Sequence, residues 1–293
     1  MKDAARLLAY LAATLLFGAL IAPLLFWAGQ SLAARGLLPF LAKFDFETFF
    51  HRAILVSAVV FLWPLSRSLR LGGWRELNLE PNPHRVRDFA AGFLASALPL
   101  LLCGAKIIAL GVYTVRNEIR WLGVPALLTT TAIVPLIEEP LFRGLILGVL
   151  LRICPVPVAM LATSALFSIV HFLKAPEHSS TIVVWTSGFV SIALAFVQFG
   201  QPMLLLAGFT TLFLIGWILA DARIRTRSLW LPMGLHAGWI FANGFFNKIA
   251  HVETEILPWL GKNLLIGLVP LAVAVITWTL MRAWMNHVAT APH

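Results

Sequence analysis

Ile133-Val134-Pro135-Leu136-Ile137-Glu138-Glu139-Pro140-Leu141-Phe142-Arg143-Gly144 lies in the middle of an apolar run from Leu122 to Ile153. The run is longer than the roughly 20 residues that carry a helix across a bilayer core. It nevertheless holds two carboxylates and a guanidinium. An ionised side chain at that depth costs at least about 2.5 kcal/mol on insertion scales, so such groups mark function by default. Glu139 and Arg143 stand at i, i+4 on one helix face and can neutralise each other, which leaves Glu138 without a partner in its own helix. Pro140 removes a backbone hydrogen bond and predicts a kink there, and Gly144 with Gly148 offers a small-residue face to a neighbour.

Working outward, eight further apolar stretches flank this one: Leu7 to Gly29, Phe49 to Ser66, Phe89 to Tyr113, Val156 to Leu173, Ile182 to Phe199, Met203 to Ala220, Leu229 to Phe246 and Leu264 to Trp284. The 293 residues are 60% hydrophobic and 12% charged, about half the charge of a soluble domain, which excludes an ordinary soluble globular protein. Lipid requires every backbone group to be satisfied inside a helix or a closed barrel, and no stretch alternates as barrel strands do. The predicted fold is an all-α polytopic membrane protein of about eight transmembrane helices enclosing an intramembrane catalytic cavity. It forms one integral membrane domain over 1–293, with the catalytic motifs in 122–247 and additional helices in 1–121 and 248–293. The first stretch exceeds a signal-peptide core and is read as a retained helix.

The formal charge of +9 sits on short arginine-rich breaks, Arg67 to Arg87 and Arg223 to Arg227 among them, where it sets topology and meets headgroups; nucleic-acid binding is not expected. Cys103 and Cys154 lie in apolar surroundings with no Cys-x-x-Cys, so neither a disulfide framework nor a finger-type zinc site is expected.

Two histidines join the carboxylates. The turn Cys154-Pro155-Val156-Pro157 lies between Glu138 and His171, 17 residues after one and 16 before the other. In an antiparallel hairpin both side chains then lie about 25 Å from the turn, at equal depth. His236, in Gly234-Leu235-His236-Ala237-Gly238, follows Arg227 by about 13 Å of helix and is flanked by glycines that permit close packing. Asn243 lies two turns further along the same face. A glutamate and two histidines inside a membrane suit hydrolysis: a carboxylate as general base toward water, a histidine sharing the proton, another donor for the oxyanion. The same three side chains can instead hold a zinc ion, and the residues alone do not choose. His-Glu-x-x-His is absent. A different class of reading is a non-proteolytic scaffold or a proton-coupled transporter with a buried Glu/Arg/His relay.

Glu138-Glu139-x-x-x-Arg143, then Phe167-x-x-x-His171, then a late-helix histidine resemble the motifs of the CPBP (CAAX protease and bacteriocin-processing, or Abi) family of intramembrane glutamic endopeptidases, related to Rce1. The match runs from Glu138 to Asn243. It implies a membrane protease without a required cofactor, acting on a membrane-anchored, prenylated or C-terminally tailed protein or peptide. By that resemblance Glu138 and His171 activate the attacking water, Glu139 and Arg143 support the site, and His236 belongs to the oxyanion side. The family's Asn or Asp four residues after the last histidine is replaced here by Ile240, and Asn243 is the candidate substitute. The composition suggests the inner membrane of a bacterium.

If Glu138, His171 and His236 share one depth, the loops Arg116 to Arg120, Lys174 to Ser180 and Arg223 to Arg227 share the cytoplasmic side. Nine simple crossings would then put Arg67 to Arg87 on the wrong side. Phe89 to Tyr113, with Pro99 and Lys106, is therefore expected to be re-entrant or interfacial.

Overall fold

The computed structural model describes residues 2–70, 73–77, 79–119, 121–172, 182–197, 200–252 and 255–290. Arg120, His178, His293 and the Lys174 to Ser180 loop lie outside the described residues. Within them the chain is helical: α1 (Lys2–Ala34), α2 (Phe46–Ser68), α3 (Arg85–Ala109), α4 (Val124–Glu139), α5 (Leu147–Ile153), α6 (Val156–Phe172), α7 (Ser187–Val197), α8 (Pro202–Leu204), α9 (Thr210–Thr226), α10 (Trp230–Ile249) and α11 (Leu268–Thr290). A π-helical segment, Pro140–Ile146, joins α4 to α5, and a second, Leu205–Phe209, joins α8 to α9. One two-residue antiparallel pairing, β1 (Thr114–Val115) with β2 (Ala250–His251), is a small departure from the expectation of helix alone.

Five helical segments are long and apolar enough to cross a membrane among the described residues: Lys2–Ala34, Phe46–Ser68, Arg85–Ala109, Pro202–Thr226 and Leu268–Val288. The protein is an integral membrane protein. The other apolar stretches resolve differently from simple spans. Ile182 to Phe199 yields α7, whose 11 residues reach only about 16 Å. Leu122 to Ile153 is divided by the π segment. The stretch expected to be re-entrant or interfacial holds an unbroken helix, α3, of 25 residues and about 37 Å, with Pro99 accommodated inside it. Its continuity removes the re-entrant turn that the charge argument called for.

The chain forms two compact units. The first holds residues 1–72 and 172–201. Asp45 caps α2 by accepting from the Thr48 N–H at 3.1 Å, and α1 lies along α2. The contact is close because small residues line it: a Cβ on Gly18 would lie 2.8 Å from the Ile54 backbone. Ala19, Ala22, Phe46, Phe50 and Ala53 form the core there, and Phe26 meets Phe46 and Phe49 edge-on.

The second unit holds residues 73–171 and 202–293. Its main contact pairs α3 with α10. A Cβ on Gly92 would lie 2.8 Å from the Leu235 nitrogen, Gly234 abuts the Phe89 backbone, and Gly238 abuts Phe93 and Ser96. Gly234 and Gly238 share one face of α10, and His236, two residues from each, points about 200° away from it. One face of α10 is therefore committed to α3 and leaves the opposite face for the site. Beyond α3, Tyr113 is buried and its hydroxyl donates to the Gly261 carbonyl.

Candidate active site

The site is assembled from α4, the π segment, α6, α9 and α10, all in the second unit. Its geometry begins with Pro140. Proline has no N–H and crowds the carbonyl four residues back, so regular α register fails there. The chain responds by widening into a π turn. The Leu147 N–H reaches back five residues to the Phe142 carbonyl before α register resumes. Glu138 and Glu139 end α4, Arg143 lies within the wide turn, and the Glu139–Arg143 pairing expected from sequence spacing is made across it.

Arg143 Nη1 donates to Glu139 Oε1 at 3.1 Å, and both side chains are 0% exposed. The guanidinium also donates through Nη2 to the Gly216 carbonyl of α9 at 3.3 Å and lies 4.2 Å above the Phe167 ring. The same Glu139 oxygen receives His236 Nδ1 at 2.7 Å. Glu138 faces the histidines: its Oε2 lies 3.2 Å from His171 Nε2 and 3.9 Å from His236 Nε2. That oxygen makes no hydrogen bond of good geometry among the described residues. The hairpin spacing that put Glu138 and His171 at equal depth is matched by this contact.

The outer nitrogens fix the tautomers. His171 Nδ1 lies 2.8 Å from the Phe167 carbonyl, which can only accept, so Nδ1 carries the proton. His236 Nδ1 faces an oxygen that already accepts from Arg143, so it too donates. In their neutral forms both imidazoles then turn a bare Nε2 toward Glu138. The Phe167 ring packs at 4.0 Å on His171 and edge-on at 5.9 Å to His236, holding both planes. Exposure divides the cluster: Glu138 and His171 are 19% and 23% exposed, His236 is 7% and Glu139 is 0%. Only the first two are open to an incoming molecule to any extent.

Glu138, His171, His236, Glu139 and Arg143 are thus brought together. Asn243 is not joined to them by any described contact. Its Oδ1 accepts from the Leu264 N–H at 3.0 Å, which ties the end of α10 to the segment before α11, about 10 Å of helix beyond His236. Sequence reasoning missed three participants. Phe167 was legible only as a motif letter, and Gly216 offers a carbonyl, which no side-chain pattern reports. Arg223, expected in a solvated loop, is buried inside α9. Its run Asp221-Ala-Arg-Ile-Arg-Thr-Arg227 looks like a topogenic cluster, and only the helix phase separates the buried member from the exposed ones.

Glu138, His171 and His236 each offer one ligand atom, all within 4.8 Å of one another, and their second nitrogens are held by a carbonyl and a carboxylate as metal-binding histidines commonly are. The donor set suits zinc. No curated protein and no solved structure matches the chain at a significant level. Residues 120–242, which contain Glu138, Glu139, Arg143, Phe167, His171 and His236, match the model of the family described as type II CAAX prenyl endopeptidase Rce1-like.

Proposed function

We propose that this protein is an intramembrane endopeptidase in which Glu138, assisted by His171, activates a water molecule to hydrolyse a peptide bond of a membrane-anchored substrate. The observation that carries the reading is the convergence of His171 Nε2 and His236 Nε2 on Glu138 Oε2, at 3.2 and 3.9 Å, with both outer nitrogens committed elsewhere. Three acceptors facing one another call for a donor between them, and water supplies two protons. The match of residues 120–242 to the model of a type II CAAX prenyl endopeptidase family supports the same reaction class.

In this reading Glu138 takes a proton from water as the oxygen attacks the carbonyl carbon, and returns it to the amine as the C–N bond breaks. His171 shares that proton through Nε2. His236 stands on the oxyanion side of Glu138, its ring held by the Nδ1–H bond to Glu139. Glu139 and Arg143, both fully buried, touch no substrate and hold His236. With Ile240 in place of the family's polar residue and Asn243 occupied by Leu264, His236 carries the oxyanion without a second side chain from α10. The substrate is a protein or peptide held in the bilayer by a prenyl group or a C-terminal sorting tail, and the expected location is a bacterial inner membrane.

The clustering of three ligand atoms within 4.8 Å favours a second reading, in which Glu138, His171 and His236 would hold a zinc ion that would supply Lewis acidity. Metal analysis of the purified protein separates the two. The test of the main reading compares protein termini in membranes from cells expressing wild type or Glu138→Gln at equal level. A discrete terminus produced by wild type alone supports hydrolysis and names the substrate. Identical termini with folded protein and native substrates present refute it, and leave a buried charge relay.

A further inference from the structure

We propose that Arg223 is a positioning residue of this centre, gripping the π-helical segment so that Glu139 and Arg143 present themselves to His236; the catalytic part of this inference rests on the peptidase reading above. The three arginines at the end of α9 have different fates. Arg225 is 44% exposed and pairs with Asp221 at 2.8 Å, and Arg227 is 61% exposed and pairs with Glu80 at 3.0 Å. Arg223 is 1% exposed. A guanidinium buried that deeply is costly unless its donors are used, and these are used on main-chain carbonyls. Nε donates to the Arg143 carbonyl at 3.1 Å and Nη2 to the Leu77 carbonyl.

The choice of the Arg143 carbonyl follows from helix register. The Leu147 N–H takes the Phe142 carbonyl in the wide π spacing, and the return to α spacing just beyond leaves a carbonyl to be served from outside the helix. Arg143 has the next carbonyl along. Its guanidinium in turn donates to the Gly216 carbonyl, seven residues before Arg223 and so two turns away on the same face of α9. Helix α9 thus holds the π segment at two points, once as acceptor and once as donor. The Leu77 contact extends the grip: the Leu77 side chain packs where a Cβ on Gly148 would lie 3.0 Å away, fastening the turn Trp74–Leu77 against α5. Arg223 acts on the centre through Arg143, then Glu139 at 3.1 Å, then His236 at 2.7 Å.

The test uses the full chain in lipid nanodiscs as wild type, Arg223→Gln, Arg223→Lys and Arg225→Gln. One readout is the NMR signal of the His236 Nδ1 proton bonded to Glu139, assigned by its loss in His236→Gln. The other is kcat and KM for the bond that the Glu138→Gln comparison identifies. Arg223→Gln is expected to shift or broaden the His236 signal and to lower kcat about 10- to 100-fold with KM little changed. Arg223→Lys, which keeps the charge and one donor, recovers part of both, and Arg225→Gln moves neither. A folded Arg223→Gln with wild-type signal and wild-type kcat overturns the proposal. If Arg223→Gln does not fold, a wild-type signal and rate in Arg223→Lys overturn it equally. A moved His236 signal in a protein that cleaves nothing supports the positioning role and refutes the peptidase reading instead.

Discussion

Replacing Arg143 with methionine keeps most of the side-chain length and removes the charge, leaving Glu139 buried at 0% exposure with His236 as its remaining partner. Breaking a buried ion pair from one side costs about 3–5 kcal/mol, because the abandoned charge stays out of water. The guanidinium over Phe167 at 4.2 Å adds up to about 2 kcal/mol of lost cation–π attraction. Glu139→Gln leaves the guanidinium with only the Gly216 carbonyl and a neutral amide, a loss again of about 3–5 kcal/mol. The double variant abandons no charge but forfeits two hydrogen bonds of about 1 kcal/mol each and the same contact with Phe167, so it is expected to lose about 2–4 kcal/mol. The ordering is the diagnostic: the double variant is more stable than either single one. Unfolding in mixed micelles of increasing denaturing-detergent fraction, followed by tryptophan fluorescence, measures all four proteins. A double-variant loss equal to the sum of the single losses would refute the reasoning, since the charges would then be independent of each other.

Glu138→Gln is expected to abolish cleavage, lowering its rate by at least about 100-fold without loss of folding, as read by quantifying the new terminus in membranes. Gly92→Ala places a Cβ 2.8 Å from the Leu235 nitrogen of α10 and is expected to destabilise the second unit by about 1–3 kcal/mol, measured by the same detergent titration. Burial, reinforced by the negative charge of Glu255, pushes the Tyr113 phenol up to about 12 from its ordinary value near 10. The folded state therefore holds its proton longer than the unfolded chain, so stability is full below pH 10 and declines as pH rises toward 12. Tyr113→Phe is expected to lack that decline, and parallel curves for the two proteins between pH 9 and 12 would contradict it.

Much of the site's layout is legible in the sequence because helix rise converts residue counts into depth. The 17 and 16 residues on either side of Pro155 put Glu138 opposite His171, and the arithmetic tolerates error because both counts run from one turn. Nine apolar runs announce helices in lipid, yet hydropathy does not say which cross it. The polar residues of 124–153 and α10 are what make those helices interesting, and neither is among the five span-like segments. Pro140 signals a break, but a kink and a π turn have the same sequence cause, and neighbours decide between them. The Glu139–His236 bond is invisible because it joins residues 97 apart whose relative rotation depends on how Gly234 and Gly238 seat α10 on α3. Arg223 was hidden for a similar reason: in a run of alternating arginines, only the packed helix tells which one faces inward. The continuity of α3 was hidden because the charge rule weighs loops, whereas the length of α3 and its glycine-lined contact with α10 belong to the helix.

The pairing of Glu139 with Arg143 inside one continuous stretch of helix also bears on how the protein is made. As the chain emerges, the two opposite charges are available to each other as soon as residue 143 has been synthesised, so this helix can enter the bilayer with one of its carboxylates already neutralised. Glu138 has no such companion until His171 arrives about 30 residues later, and His236 comes about 65 residues after that. Glu138 thus gains its surroundings only from residues synthesised well after its own helix, and the centre is complete only once α10 has been made.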